Sequence, residues 1–166
     1  MLTPVVDDDG APFWEYAARG ELRIQACARQ DCGELRFPPR PCCPHCQSFE
    51  SEWRRMSGKG RIWSYVVPHP PLLPDYAEQA PYGVIVVELA EAPRIRLVGN
   101  LVSGPGAPLN SVPAERIRIG AKVQVVFGHG GQGGKGGHGR DGKDGGDGAD
   151  DGGGAGPLPQ WVLERP

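Results

Sequence analysis

All five cysteines of this chain fall within twenty residues, at Cys27, Cys32, Cys42, Cys43 and Cys46. That cluster constrains the fold more than any other feature. Cys43-Pro44-His45-Cys46 leaves a two-residue gap, which turns two sulfurs onto one centre while the intervening backbone N–H groups point at them. Cys27 and Cys32 are four residues apart, inside the two-to-four spacing of structural metal knuckles. The ten residues between Cys32 and Cys43 let the second knuckle fold over the first. Four thiolates in two knuckles complete a tetrahedron around Zn²⁺ and leave no open position, so the predicted site is structural and holds one zinc ion.

The composition around the cysteines requires such a staple. Between residues 21 and 57 the large apolar side chains are Leu22, Ile24, Leu35, Phe37, Phe49, Trp53 and Met56, too few for a core. Structural zinc, bound with about 10–16 kcal/mol, makes up that deficit. The predicted ligands are Cys27, Cys32, Cys43 and Cys46. Cys42 is the alternative to Cys43, with a three-residue gap to Cys46; Cys43 is preferred because its knuckle is tighter and has proline after the first cysteine. His45 lies inside that knuckle and is expected to be exposed.

A second constraint is negative. Of 26 glycines in 166 residues, 16 lie between Gly128 and Gly156. That stretch has no large apolar residue and cannot offset the entropy of ordering it. It lacks the Gly-Lys-Ser/Thr of a phosphate loop, and its aspartates recur every three residues rather than in the nine-residue period of calcium rolls. It is predicted to be a flexible insertion.

Charge excludes further classes. Eighteen basic and 20 acidic side chains give a net charge of −2, which argues against a basic nucleic-acid binder. No apolar run approaches the roughly 20 residues of a membrane span. The acidic start, MLTPVVDDDG, carries no hydrophobic signal region, so a cytoplasmic location is expected. In that reducing compartment the five cysteines are expected to be ligands, nucleophiles or packed thiols rather than disulfides.

The remaining segments read mainly as β. Residues 12–19 predict a short helix, with Pro12 at its start, Gly20 at its exit and Phe13, Tyr16 and Ala17 on one face; Trp14 lies off that stripe. Strands are predicted at 61–67, 82–89, 95–102 and 122–127, with a last one from Leu158 to Glu164. The proline-rich 68–81 stretch is predicted to be an ordered loop without helix, and 109–119 to hold one helical turn opened by Pro113. The expected division is 1–20, an N-terminal segment with a docking helix; 21–57, a rubredoxin-like zinc ribbon; and 58–166, a five-stranded OB-fold barrel with the glycine-rich insertion (128–156) before its last strand. An SH3-like barrel has the same strand count.

No catalytic motif accompanies these elements. There is no Gly-x-Ser-x-Gly, His-Glu-x-x-His or phosphate loop. His69, in Pro-His-Pro-Pro, has no acidic or nucleophilic companion in the sequence. Arg94, Arg96, Arg116, Arg118 and Lys122 give the middle of the chain a slight basic excess. Trp63, Tyr65 and Tyr82 are the aromatics available for stacking or for packing.

Taken in order, several of these motifs resemble a known family. They are Pro12-Phe13-Trp14-Glu15, Gly20-Glu21-Leu22, Cys27…Cys32-Gly33, Arg36-Phe37-Pro38-Pro39-Arg40, Cys43-Pro44-His45-Cys46, Trp53, Ser57-Gly58-Lys59-Gly60, Pro81-Tyr82 and Gly120-Ala121-Lys122-Val123. The chain resembles, over roughly 12–127 and 157–164, the zinc-ribbon proteins with a C-terminal OB-fold long catalogued as a domain of unknown function. The family usually has two residues in the first knuckle where this chain has four, and it lacks the glycine-rich insertion. The resemblance implies a non-catalytic accessory subunit that binds acyl-CoA beside a thiolase-like enzyme, of thiolase, aldolase or hydroxymethylglutaryl-CoA synthase type, in acyl-CoA, lipid or sterol metabolism. It implies docking through the ribbon and helix and a shared acyl-CoA channel. The basic residues between 94 and 122 are the expected contacts to CoA phosphates. A nucleic-acid-binding zinc-ribbon/OB module is the alternative, and it requires a basic groove; a stand-alone acyl-CoA enzyme lacks a catalytic set.

Overall fold

The computed structural model describes residues 5–128 and 158–164. The glycine-rich insertion, apart from Gly128, lies outside them. Helix α1 (Ala11–Ala18) begins where Asp7 Oδ1 accepts the Gly10 N–H at 2.7 Å and Pro12 fixes the first turn. It ends at Gly20, left-handed at φ 74°. There the Glu21 N–H bonds back to Tyr16 O and the Gly20 N–H to Ala17 O, a pairing that satisfies the last carbonyls. Phe13 and Ala17 are buried. The guanidinium groups of Arg19 and Arg23 lie over the Tyr16 ring, 4.6 and 4.3 Å from its centre.

Three short strands follow: β1 (Arg23–Cys27), β2 (Leu35–Arg36) and β3 (Ser51–Arg55), in the antiparallel order β2-β1-β3. Next come β4 (Lys59–Val66), a single helical turn α2 (Pro74–Ala77), β5 (Gly83–Leu89), β6 (Arg96–Leu101), β7 (Lys122–Gly128) and β8 (Leu158–Leu163). The α2 turn corrects the reading of 68–81 as loop alone. Pro74 presets the first helical φ, and Leu73 O accepts the N–H groups of Tyr76 and Ala77. Between β6 and β7 lie two 3-10 turns, Leu109–Ser111 and Ala114–Arg116, the second opened by Pro113.

Strands β4 to β8 close into a barrel in the order β4-β5-β6-β8-β7. The order separates the OB-fold from an SH3-like barrel. The first three strands meander, and the last inserts between the third and the fourth. Strand β8 runs antiparallel to β7 over six pairs and parallel to β6 at the single pair Leu101↔Trp161. That Greek-key closure is the OB-fold. On β5 alternate residues face in (Ile85, Val87 and Leu89 are buried), and on β6 Leu97 and Leu101 do the same. One apolar cluster runs unbroken from Phe13 of α1 through Leu22, Ile24 and Met56 of the ribbon to Ile62, Ile85 and Trp161 of the barrel. The ribbon therefore leans on the barrel for part of its core.

Candidate metal centre and groove

The two knuckles share one hydrogen-bond plan. The Cys27 N–H donates to Glu34 O and the Cys43 N–H to Ser48 O. Each second cysteine is followed by a left-handed residue, Gly33 after Cys32 and Gln47 after Cys46. The first knuckle spans two more residues than the second, and its closing bond spans two more as well. The longer Cys27–Cys32 gap thus bulges within its own turn without displacing the sulfurs.

The Sγ atoms of Cys27, Cys32, Cys43 and Cys46 lie within 4.8 Å of one another. Cys27 and Cys46 are 3.5 Å apart, and Cys32 and Cys43 3.7 Å. Zinc at about 2.3 Å from each of four tetrahedral sulfurs sets edges of about 3.8 Å, so the donor set fits one structural zinc ion. Cys42 is outside the group, its thiol directed at the Cys43 carbonyl at 3.7 Å. His45 is exposed, with Nδ1 3.7 Å from Cys32 Sγ.

Ionisation in the cluster favours a cation. Hydrogen bonds from the Cys46 N–H and the His45 N–H bring the Cys43 thiol down to about 6. At Cys32 the Glu34 N–H pulls the same way, but burial and the neighbouring sulfurs outweigh it and push the thiol up to about 12. Cys27, despite the Arg29 N–H, is likewise raised by burial and by its neighbours. Four thiolates this close repel one another, and a divalent cation removes that conflict.

Between α1, the ribbon and the barrel lies a groove of about 590 Å³, bounded by Phe13, Trp14, Phe37 and Pro38 on one side and by Tyr82, Val84, Val98, Pro159 and Trp161 on the barrel side. Trp14 stands edge-on to Phe13 at 5.2 Å, which turns it off the buried stripe of α1 and into the groove wall. Because β8 touches β6 at one pair only, the barrel wall is parted there. Arg96 stands at the groove's edge with its guanidinium 3.9 Å above Trp63, and it pairs with Glu88 at 3.0 Å.

The basic residues singled out between 94 and 122 are not brought together. Arg94 lines a separate hollow with Arg54, Arg116 lies near Ser111, and Arg118 bonds to Ile117 O. The buried Arg36 was not anticipated as buried. It is 4% exposed and donates from Nε to Gln25 Oε1 at 2.8 Å, while neither terminal nitrogen has a partner among the described residues. Among the described residues no helix is long and apolar enough to cross a membrane.

Residues 14–52 match the rubredoxin-like zinc ribbon domain of ChsH2, and residues 53–128 its C-terminal OB-fold domain. A probable enoyl-CoA hydratase alpha subunit of Thermomonospora curvata is 41% identical over 120 residues, 72% of this chain and 33% of that protein. A DUF35 domain-containing scaffold protein of Methanocaldococcus jannaschii is 36% identical over 100 residues, 59% of this chain and 62% of that protein. The chain therefore spans about a third of the hydratase subunit and under two thirds of the scaffold protein. A solved structure described as an Ltp2-ChsH2(DUF35) aldolase superposes with a TM-score of 0.68 at 31% identity, covering 96% of this chain and 98% of that one. With both halves matched in order and the solved relative covered from end to end, the chain belongs to the DUF35 family of ChsH2-type zinc-ribbon and OB-fold proteins.

Proposed function

We propose that this chain is a non-catalytic accessory subunit in acyl-CoA metabolism, that Cys27, Cys32, Cys43 and Cys46 hold its zinc, and that it works bound to a thiolase-like enzyme. The observation that carries the reading is the groove between α1, the ribbon and the barrel. Its apolar, aromatic lining suits an acyl chain, and its two walls are built from separate elements that a partner can hold in register. The names of its relatives agree: an alpha subunit of a hydratase acting on an acyl-CoA, and a scaffold protein. The zinc centre is closed and contributes rigidity rather than a reactive metal.

The test is co-expression with a thiolase-like enzyme from the same genome. The expected result is a stable complex that turns over acyl-CoA, with no turnover by this chain alone. Turnover of an acyl-CoA by the lone chain, or failure to capture the enzyme, overturns the reading.

A further inference from the structure

The barrel register places a row of charged residues across four strands. Lys122 on β7 lies opposite Arg61 on β4, Arg61 opposite Glu88 on β5, and Glu88 opposite Arg96 on β6. Glu88 is spoken for, because both Arg96 Nε and Nη2 donate to its Oε1. Arg61 and Lys122 are left facing each other, and Lys59 is two residues along the same face. These three cations bound a notch of about 410 Å³ at the β4–β7 seam, floored by Gly60 and rimmed also by Glu88 and Glu164. None of the three is in an ion pair among the described residues. Arg61 Nη1 donates to Gly120 O at 3.3 Å, which holds the guanidinium at the seam; like charges directly opposite across a strand pair cost stability, and an anion between Arg61 and Lys122 relieves that cost.

We infer that Lys59, Arg61 and Lys122 form a phosphate site, and that it takes the nucleotide end of the acyl thioester whose acyl end occupies the groove. The second half of this inference rests on the proposed function. The row itself joins the two places: Arg96 edges the groove, and Lys122 lies three strand spacings away, about 14 Å across the sheet. A ligand with an apolar end, an extended linker and a phosphate end can lie along that path. Of the five basic residues that the sequence suggested for this role, only Lys122 lines the notch.

The test is a titration of the ¹⁵N-labelled full chain with adenosine 3′,5′-bisphosphate, with inorganic pyrophosphate, and with adenosine. Both phosphate probes should shift the amides of Gly60, Ala90 and Lys122, more weakly as salt is raised, and adenosine should not. Arg61→Gln with Lys122→Gln should weaken bisphosphate binding by about tenfold or more, while Arg116→Gln should leave it unchanged. Without ligand and at low salt, Lys122→Gln should melt no lower than the parent chain; a lower melting temperature shows that the lysine is paired structurally and overturns the site. So do phosphate probes that leave these amides unmoved. A single-stranded oligothymidylate that binds there more tightly than the bisphosphate overturns the assignment in favour of nucleic acid. Capture of the thiolase-like enzyme is scored on the same variants. Capture without bisphosphate binding removes the notch and leaves the functional reading standing, whereas bisphosphate binding without capture supports the phosphate site and removes that reading.

Discussion

Gln47 holds the place after Cys46 that Gly33 holds after Cys32, and both are left-handed, at φ 60° and 62°. A side chain in that conformation brings Cβ against the carbonyl and costs about 1–2 kcal/mol, part of which glycine returns as unfolded-state entropy. Gln47→Gly should therefore stabilise the chain by about 0.5–1 kcal/mol, and Gly33→Ala should destabilise it. Urea midpoints measure both. A lower midpoint for Gln47→Gly means that the glutamine side chain makes a compensating contact.

The metal centre gives the second prediction. Purified protein should carry one zinc per chain. Cys43→Ser and Cys46→Ser should release it, and Cys42→Ser should not, because Cys42 Sγ is not one of the four converging sulfurs. Removal by a chelator should lose the β1–β3 amide signals first, since the ribbon's own apolar residues are few. Because Leu22, Ile24 and Met56 belong to the same cluster as the barrel core, the barrel should also melt at a lower temperature. Zinc retained by the Cys43 variant and lost from the Cys42 variant would falsify this ligand set.

Much of this was legible in the sequence because it is local. Cysteine spacing, Pro12 and Gly20 around α1, and the alternation of β5 and β6 each depend on residues that are neighbours in the chain. The barrel's identity depends on β8 inserting between β6 and β7, a pairing of distant segments that no local pattern encodes. The cationic notch is of the same kind, since Arg61 and Lys122 meet only through the β4–β7 register. The helical turn α2 was obscured by the prolines around it. Trp63, 46% accessible under Arg96, sits on the outward face by the plain alternation of β4, in which Gly60 and Ile62 are buried and Arg61 and Trp63 exposed.

Gly99 on β6 faces the indole of Trp161, and a Cβ there would stand 2.8 Å from its Nε1 and 3.1 Å from Pro159 O. Trp161 is fully buried, so the ring has no room to retreat. Gly99→Ala should cost about 1–3 kcal/mol. Gly104→Ala, which meets nothing within 4 Å, should be near neutral and serves as the control. Equal thermal shifts for the two variants would show that the barrel gap opens freely.

Glu91 supplies a pH signature. Its Oε1 accepts the Ser57 N–H at 2.7 Å, tying the β5–β6 loop to the junction of ribbon and barrel. Burial alone would raise this carboxyl; the Ser57 hydrogen bonds and nearby Lys59 outweigh it and hold it below the usual range. A lowered folded value means that the stabilisation is complete above the unfolded carboxylate value of about 4.3 and disappears as the pH falls through the folded one. Glu91→Gln should therefore melt lower than the parent at neutral pH, by about 0.5 kcal/mol at this exposed position. The two curves should converge in acid. A difference that persists unchanged at the acid end removes the carboxylate from the explanation.

Trp14 separates docking from folding. Its neighbour Phe13 is buried in the common core, whereas Trp14 is half-buried and forms part of the groove wall. Large aromatics at the edge of such a groove are the usual anchors of protein interfaces. Trp14→Ala should leave zinc content unchanged and lower stability by less than Phe13→Ala does. It should weaken the complex with the thiolase-like enzyme by about 2 kcal/mol or more, roughly a thirtyfold rise in dissociation constant, and turnover of bulky acyl-CoA by the complex should fall with it. Phe13→Ala, by contrast, should act through the fold, lowering the melting temperature of the free chain before any partner is added. If the Trp14 variant binds the enzyme as tightly as the parent chain does, the groove wall is not the docking surface, and α1 serves only to cover the ribbon.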